Sequence, residues 1–412
     1  MRLRIAIILA LLMSLAVSAQ AAFTIFQNRL LVTYTGLVGT RGKVPASYDV
    51  SNNQMMSKTF HYARASISSL QVRFACWYEL TSNNVESAPG SNCVIKGSVE
   101  YPPGTCVPLT FAAASSATVT AGSDVLSDAV SISIPNGAKF FVNEYLTNAS
   151  GIVLTDQQGD TTNGDSVNVG VSGITDRTVT CTSVPNSGGF QSLPLAIVGS
   201  TTQPSICLLG DSIGDGVHDV YSGTSGDIGI LARSVGPSYG YSNLAVSGDA
   251  SGRYNAGHVQ RAKLLSYCTS AISNYGHNNF YNDGEGLQTM EANQMTMYGT
   301  VAAGMIGAKK IIQTTLLPHT TCGSNDWISL ACQTVGSFNA SFVTYNSDLR
   351  SAATGPPGGF YDANSILGTS TNGMFWITNG TANFYSFDGV HPAPAGYALI
   401  QSSGIINLSR LQ

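Results

Sequence analysis

The chain has 412 residues, enough for two ordinary domains, and 43% of them are hydrophobic, enough to build packed cores. Charged residues are only 10%, well under the usual quarter, and Gly, Ser, Thr and Asn take their place, a composition that suits an exported β-rich protein better than a cytosolic one. A net charge of -4 gives no reason to expect a nucleic-acid partner.

Residues 1–21 read as a signal peptide. Arg2 and Arg4 form the basic start, residues 5–17 are an apolar run too short to span a bilayer comfortably, and Ala19-Gln20-Ala21 is an A-x-A cleavage site. No later stretch offers the ~20 apolar residues of a membrane helix, so the expectation is a soluble mature protein with no membrane partner, secreted or periplasmic. In such a chain the eight cysteines suggest disulfides. Cys322 with Cys332, Cys76 with Cys93 and Cys106 with Cys181 are the natural pairs by proximity and half of the chain. Cys207 and Cys268 either bridge or stay as buried thiols.

Residues 22–198 show no amphipathic helix. They show short β-type runs at 30–34, 68–78, 117–120, 129–134, 139–145 and 167–171, separated by turn residues, and this pattern reads as an all-β domain of sandwich or jelly-roll type. The runs on either side of Pro135-Asn136-Gly137 are expected to pair as a hairpin. Tyr62, Trp77, Tyr78 and Tyr101 either stack on sugar rings or pack in the core. The acidic stretch 156–165 either holds calcium or is a solvated turn. Residues 183–204, rich in Ser, Gly, Pro and Thr, read as a connector.

From residue 205 the period changes. Short apolar strands are expected at 206–209, 242–246, 270–275 and 309–316, alternating with helices at 285–306, 338–349 and 394–406. Such alternation implies a parallel sheet with helices on both faces. The methionines spaced along 285–306 read as core packing.

The first of these strands ends in Gly210-Asp211-Ser212, which sets a serine at the mouth of an open α/β sheet, where such sheets bind ligands. A serine hydroxyl needs a base to take its proton. Near the C-terminus, Asp388-Gly389-Val390-His391-Pro392 places a carboxylate three residues before a histidine, close enough to fix the ring's tautomer. The second strand ends at Gly248 and the third runs into Gly276-His277-Asn278-Asn279. The Gly248 N–H and the Asn278 amide are the kind of donors an oxyanion hole needs. Asp211 is expected to brace the serine loop, His277 to line the pocket, and His218 and His258 to be solvated or capping.

Gly-Asp-Ser, a strand-end Gly, Gly-x-Asn and Asp-x-x-His-Pro, in that order, resemble the SGNH (GDSL-type) hydrolase superfamily over about residues 200–412. The resemblance implies a three-layer, flavodoxin-like α/β domain at 199–412, following the β domain at 22–198. It implies a Ser212, His391 and Asp388 triad, with an oxyanion hole formed by the Ser212 and Gly248 N–H groups and the Asn278 amide. No metal or organic cofactor is called for. The chain departs from the family in Ile213 after Gly-Asp-Ser, where leucine is usual, and in Asn279, where an aspartate usually supports the loop. The expected activity is cleavage of ester bonds, with O-acetyl groups on a carbohydrate as the foremost substrate. A glycan acyltransferase, a lipase or thioesterase, and an inactive glycan-binding protein are the alternatives.

Overall fold

The structure, a computed structural model, describes residues 32–187, 189–221, 225–307, 309–369 and 373–412, and the expected signal peptide lies outside them. The first half is built of antiparallel sheets. In one, Ile67–Cys76 pairs with Ala196–Thr201, Ser123–Leu126 and Val130–Ile134. In the other, Lys139–Thr147 lies between Gln54–Tyr62 and Cys93–Glu100, and Ser166–Gly170 extends the sheet beyond Gln54–Tyr62. Leu70, Val72 and Phe74 from the first sheet meet Ile95, Phe140 and Val142 from the second in one core. Each such side chain contributes about 1.5–3 kcal/mol when fully buried.

The hairpin expected across Pro135-Asn136-Gly137 does not form. Val130–Ile134 belongs to the first sheet and Lys139–Thr147 to the second, so the turn carries the chain from one sheet to the other. Ile132 and Ile134 on one side and Phe140 and Val142 on the other enter the same core, and that shared burial overrides the local turn signal.

The second half carries the expected parallel sheet. Its strands run in the order Gly42–Lys43, Gly240–Asn243, Ser205–Leu209, Ser270–Ser273, Lys310–Thr314 and Phe360–Tyr361. The two outer strands have two residues each, too few for any periodicity to mark them. Successive side chains of a strand face opposite ways, and here they enter different cores. Ile206 and Leu208 pack with Val235, Tyr397 and Ile400 on one face, and Cys207 and Leu209 pack with Leu264, Met297 and Val301 on the other. Three layers follow directly from that alternation.

The expected helices are Leu287–Gly304, Asn339–Ser351 and Pro394–Ser403. The methionine stripe is broken: Met290 and Met297 are buried, whereas Met295 faces solvent. Trp77, Ala75 and Leu195 from the first half share the core beneath Leu287–Gly304. Lys43 of the edge strand reaches both Asp156 and Asp215, and Asp165 forms a buried pair with Arg41 at 2.7 Å. The acidic stretch is thus not a solvated turn, because internal cations hold Asp156 and Asp165 and Asp160 accepts from the backbone N–H and amide of Asn163. Trp77 is fully buried, and Tyr78 stacks on Tyr48.

All eight cysteines are paired, as Cys76–Cys93, Cys106–Cys181, Cys207–Cys268 and Cys322–Cys332. Among the described residues, no helix is long and apolar enough to cross a membrane.

Candidate active site

Ser212 opens a short helix, Ser212–Asp215, directly after the buried strand Ser205–Leu209. Asp211 is its N-cap, and its Oδ1 accepts the Ile213 N–H at 3.0 Å and the Asn274 amide at 2.7 Å. This bracing role matches the expectation. Burial pushes the Asp211 carboxyl up to about 6, against those two hydrogen bonds.

The turn that carries the histidine is pinned on all sides. Asp388 Oδ1 accepts the backbone N–H groups of Val390 and His391 at 2.9 and 2.8 Å, which leaves Oδ2 for the His391 Nδ1–H at 2.7 Å. Trp376 Nε1 and the Thr320 N–H both donate to the Gly389 carbonyl, at 2.8 and 2.9 Å. Although burial pushes the Asp388 carboxyl up, the ring and backbone donors of His391 hold it well below the usual carboxylate range. On its other side, His391 Nε2 lies 2.8 Å from Ser212 Oγ. The structure thus brings Ser212, His391 and Asp388 into one hydrogen-bonded line across 179 residues of sequence.

Gly248 sits on a turn, and Asn278 lies at the start of the neighbouring short helix His277–Tyr281. Gly248 has φ +83, a left-handed conformation that favours glycine. The Asn278 amide donates to the Asp249 carbonyl at 2.9 Å, which ties the helix start to the Gly248 turn. Asn279, in the place of the family's aspartate, accepts from the Ser251 N–H and Oγ at 3.2 Å and donates to Glu285 at 2.9 Å. It therefore supports the loop by hydrogen bonds rather than by charge.

Residues from outside the motifs complete the wall. Asn84, on the turn between Tyr78–Glu79 and Glu86–Ser87, donates to the Ser247 carbonyl at 3.0 Å. Arg253 Nη1 donates to Asn84 Oδ1 at 2.7 Å and to the Gly248 carbonyl at 3.1 Å, and its Nε donates to Asp283 at 3.0 Å. The Asp283 N–H returns to the Asn278 carbonyl at 2.9 Å. Beneath lies fully buried Arg261, paired with Glu79 at 2.9 Å and Asp249 at 2.7 Å. No sequence signal marks Asn84 or Arg253, since both act through contacts that only the fold creates.

The other histidines of this half take different places. His277 is buried beside His319, and burial, with the nearby His319 and His391 rings, holds it well below its ordinary pKa. It packs behind the site as a neutral ring. His319 is pushed down to about 4 by burial. His258 stacks on Tyr254 between two short helices. His218, expected to be solvated or capping, lies beyond the end of Ser212–Asp215 with φ +63. Its ring stacks on Phe387 at 3.8 Å and its Nε2 is 3.5 Å from Asp388 Oδ2.

Among the described residues, three groupings have metal-type donors close together. Two of these contain disulfide-bonded cysteines, Cys106 with Cys181 and Cys322 with Cys332, which have no thiolate to offer. The third is His218, Asp388 and His391.

A serine at a strand end, in line with a histidine and an aspartate, is the arrangement by which serine hydrolases activate their nucleophile. Residues 206–402 match the family model for GDSL-like lipases and acylhydrolases, and this segment is similar to GDSL-type (SGNH) carboxylic ester hydrolases. Similar solved structures include a possible lipase from Chitinophaga pinensis, 16% identical, covering 51% of this chain and 99% of its own, with a TM-score of 0.35. A family two carbohydrate esterase from Clostridium thermocellum is 11% identical over 92% of this chain and 98% of its own, with a TM-score of 0.33. A family 3 carbohydrate esterase from Talaromyces cellulolyticus is 13% identical over 51% and 98%, with a TM-score of 0.32. Among curated proteins, none matches the chain.

Proposed function

We propose that the protein is an exported serine esterase that removes O-acetyl groups from a carbohydrate. The observation that carries this reading is the line from Ser212 Oγ through His391 to Asp388, with contacts of 2.8 and 2.7 Å. His391 Nε2 takes the Ser212 proton as Oγ attacks the ester carbonyl. The oxyanion is received by the N–H groups of Ser212 and Gly248 and by the second N–H of Asn278, each such donor being worth about 3–4 kcal/mol. Collapse of the intermediate expels the alcohol, which His391 protonates, and water attacks the acyl-enzyme with His391 again as base.

The substrate class is supported by three features. The four disulfides suit an exported chain. The rim beside Gly248 is polar, formed by Asn84 and Arg253. Phe387, 44% exposed, stands next to the triad carboxylate, and an exposed aromatic face suits a sugar ring. In this reading residues 22–198 form a β-sandwich accessory domain that lends the edge strand Gly42–Lys43 to the catalytic sheet, and its turn at Asn84 helps to shape the catalytic domain, 199–412.

Acetate release from acetylated xylan and pectin, beside short- and long-chain nitrophenyl esters, tests the proposal with wild type and Ser212→Ala. Acetate from a glycan, lost in the variant, is the expected result. Turnover of long-chain esters alone replaces the substrate with lipid. Product that forms only when an acceptor sugar is supplied makes the protein a transferase, and full activity in Ser212→Ala rejects the nucleophile.

A further inference from the structure

We propose, resting on that reading of the site, that His218, Asp388 and His391 form an inhibitory site for zinc. The three side chains offer two imidazole nitrogens and a carboxylate oxygen, all within 4.8 Å of one another. Mixed nitrogen and oxygen donors of this kind suit zinc, whereas calcium and magnesium take oxygen. Three protein ligands leave the fourth tetrahedral position to water.

The geometry is close to what the ion requires. Bonds of about 2.0–2.2 Å set tetrahedral ligand atoms roughly 3.3 Å apart. Asp388 Oδ2 already lies 2.7 Å from His391 Nδ1 and 3.5 Å from His218 Nε2. The residue that has to move is His218, which sits past a helix end, stacks on Phe387 and lies edge-on to the His391 ring. The site is open to solvent, with side chains 34% exposed at His218 and 36% at Asp388. Asp388 is also held from behind, since its Oδ1 accepts two backbone N–H groups, and a ligand fixed in this way binds metal better.

Binding stops the reaction by a definite route. His391 Nδ1 carries the ring proton that Asp388 accepts. Zinc needs the Nδ1 lone pair, so that proton leaves Nδ1 and the neutral ring carries its proton on Nε2, through exchange with water. Nε2 then has no lone pair for the Ser212 proton, and the serine stays a hydroxyl. The Asp388 oxygen is also drawn from the ring to the ion.

The test measures initial rates with nitrophenyl acetate in a buffer that does not bind metal, with zinc chloride from 0 to 1 mM, for wild type, His218→Phe and His218→Ala, each relative to its own zinc-free rate. Zinc binding is followed separately by calorimetry in Ser212→Ala, alone and combined with His218→Phe, so that it is read without turnover. The expected result is inhibition of wild type in the micromolar range, reversed by EDTA and absent with magnesium. Both His218 variants should require at least 10-fold more zinc, and the calorimetric affinity should fall by the same factor. Equal zinc sensitivity in wild type and both variants, or no inhibition at 1 mM, overturns the proposal. If Ser212→Ala keeps full turnover, the esterase reading fails by itself, while calorimetry still decides whether His218 binds the ion.

Discussion

Asp388 holds His391 at two points, by the ring Nδ1–H at 2.7 Å through Oδ2 and by the backbone N–H at 2.8 Å through Oδ1. One carboxylate therefore sets both the path of the turn and the tautomer of the ring. In that tautomer the lone pair of Nε2 faces Ser212 Oγ, 2.8 Å away.

Asp388→Asn tests the tautomer. An amide turned toward the ring presents N–H where the carboxylate accepted one, and this favours the proton on Nε2. We expect turnover of nitrophenyl acetate to slow about 10,000-fold, the loss such a change costs in related chemistry, with an unchanged circular dichroism spectrum. A loss below 10-fold would mean that Asp388 does not orient the base.

The proposed oxyanion donors give a second prediction. In that reading Asn278→Ala removes a donor that acts on developing charge, so kcat should fall about 100- to 1,000-fold with little change in KM. Arg253→Ala removes the tie between Asn84, the Gly248 carbonyl and Asp283. A small displacement of the donors should then slow turnover by up to about 100-fold. If Arg253 acts through the same donors, the Arg253→Ala and Asn278→Ala losses will not add. An unchanged kcat in Arg253→Ala would leave Arg253 a surface ion pair.

The motif residues are legible in the sequence because their signals are local. Gly-Asp-Ser ends an apolar run, and Asp388 and His391 lie within one turn. Asn84 and Arg253 leave no such trace, since their contact spans 169 residues. The place of His218 is hidden because a left-handed residue turns its ring away from the helix path toward Phe387. In the β half the runs are visible but their partners are not. Asn136-Gly137 favours a hairpin locally, yet Ile134 and Phe140 reach the core from opposite sheets. The strand Gly42–Lys43 escapes because two residues carry no period.

Glu79 predicts a pH dependence of stability. It is fully buried beside Arg261, and burial, outweighing the arginine, pushes its carboxyl up to about 8 from an ordinary 4.5. Between those values the folded protein holds a proton that the unfolded chain releases. Stability from this group is therefore full below about pH 4.5 and is lost as pH rises toward 8, by about 1.4 kcal/mol per pH unit at most. Glu79→Gln removes the dependence. The melting temperature of wild type relative to Glu79→Gln should fall steadily from pH 5 to pH 8, and a constant difference would show Glu79 ionised in the fold.

Cys207–Cys268 closes 61 residues and joins the strand that leads to Ser212 to the start of the next strand. The loop-entropy relation gives such a crosslink about 4 kcal/mol. Cys207→Ala with Cys268→Ala should lower stability to urea by about 2–5 kcal/mol. Both residues are fully buried, so mild reductant should act on this bond only after unfolding. Equal urea midpoints for the double variant and wild type would refute the contribution.

Gly389 is the point where fold and chemistry are least separable. It has φ +84, and a Cβ there would lie 2.0 Å from the Thr320 carbonyl and 2.6 Å from the Trp327 ring. Both the conformation and the space demand glycine. Gly389→Ala must therefore push the turn off Thr320, and Asp388 and His391 move with it, since they belong to the same turn. Only the Trp327 and Trp376 edge of one core is touched, so turnover should slow by about 100-fold or more, as misplaced catalytic groups do, while the melting temperature changes by only a few degrees. The readout is kcat/KM on nitrophenyl acetate beside the melting curve. An active Gly389→Ala enzyme would mean that the turn can relax without moving the ring, and that the contacts of Thr320 and Trp376 do not set the position of His391.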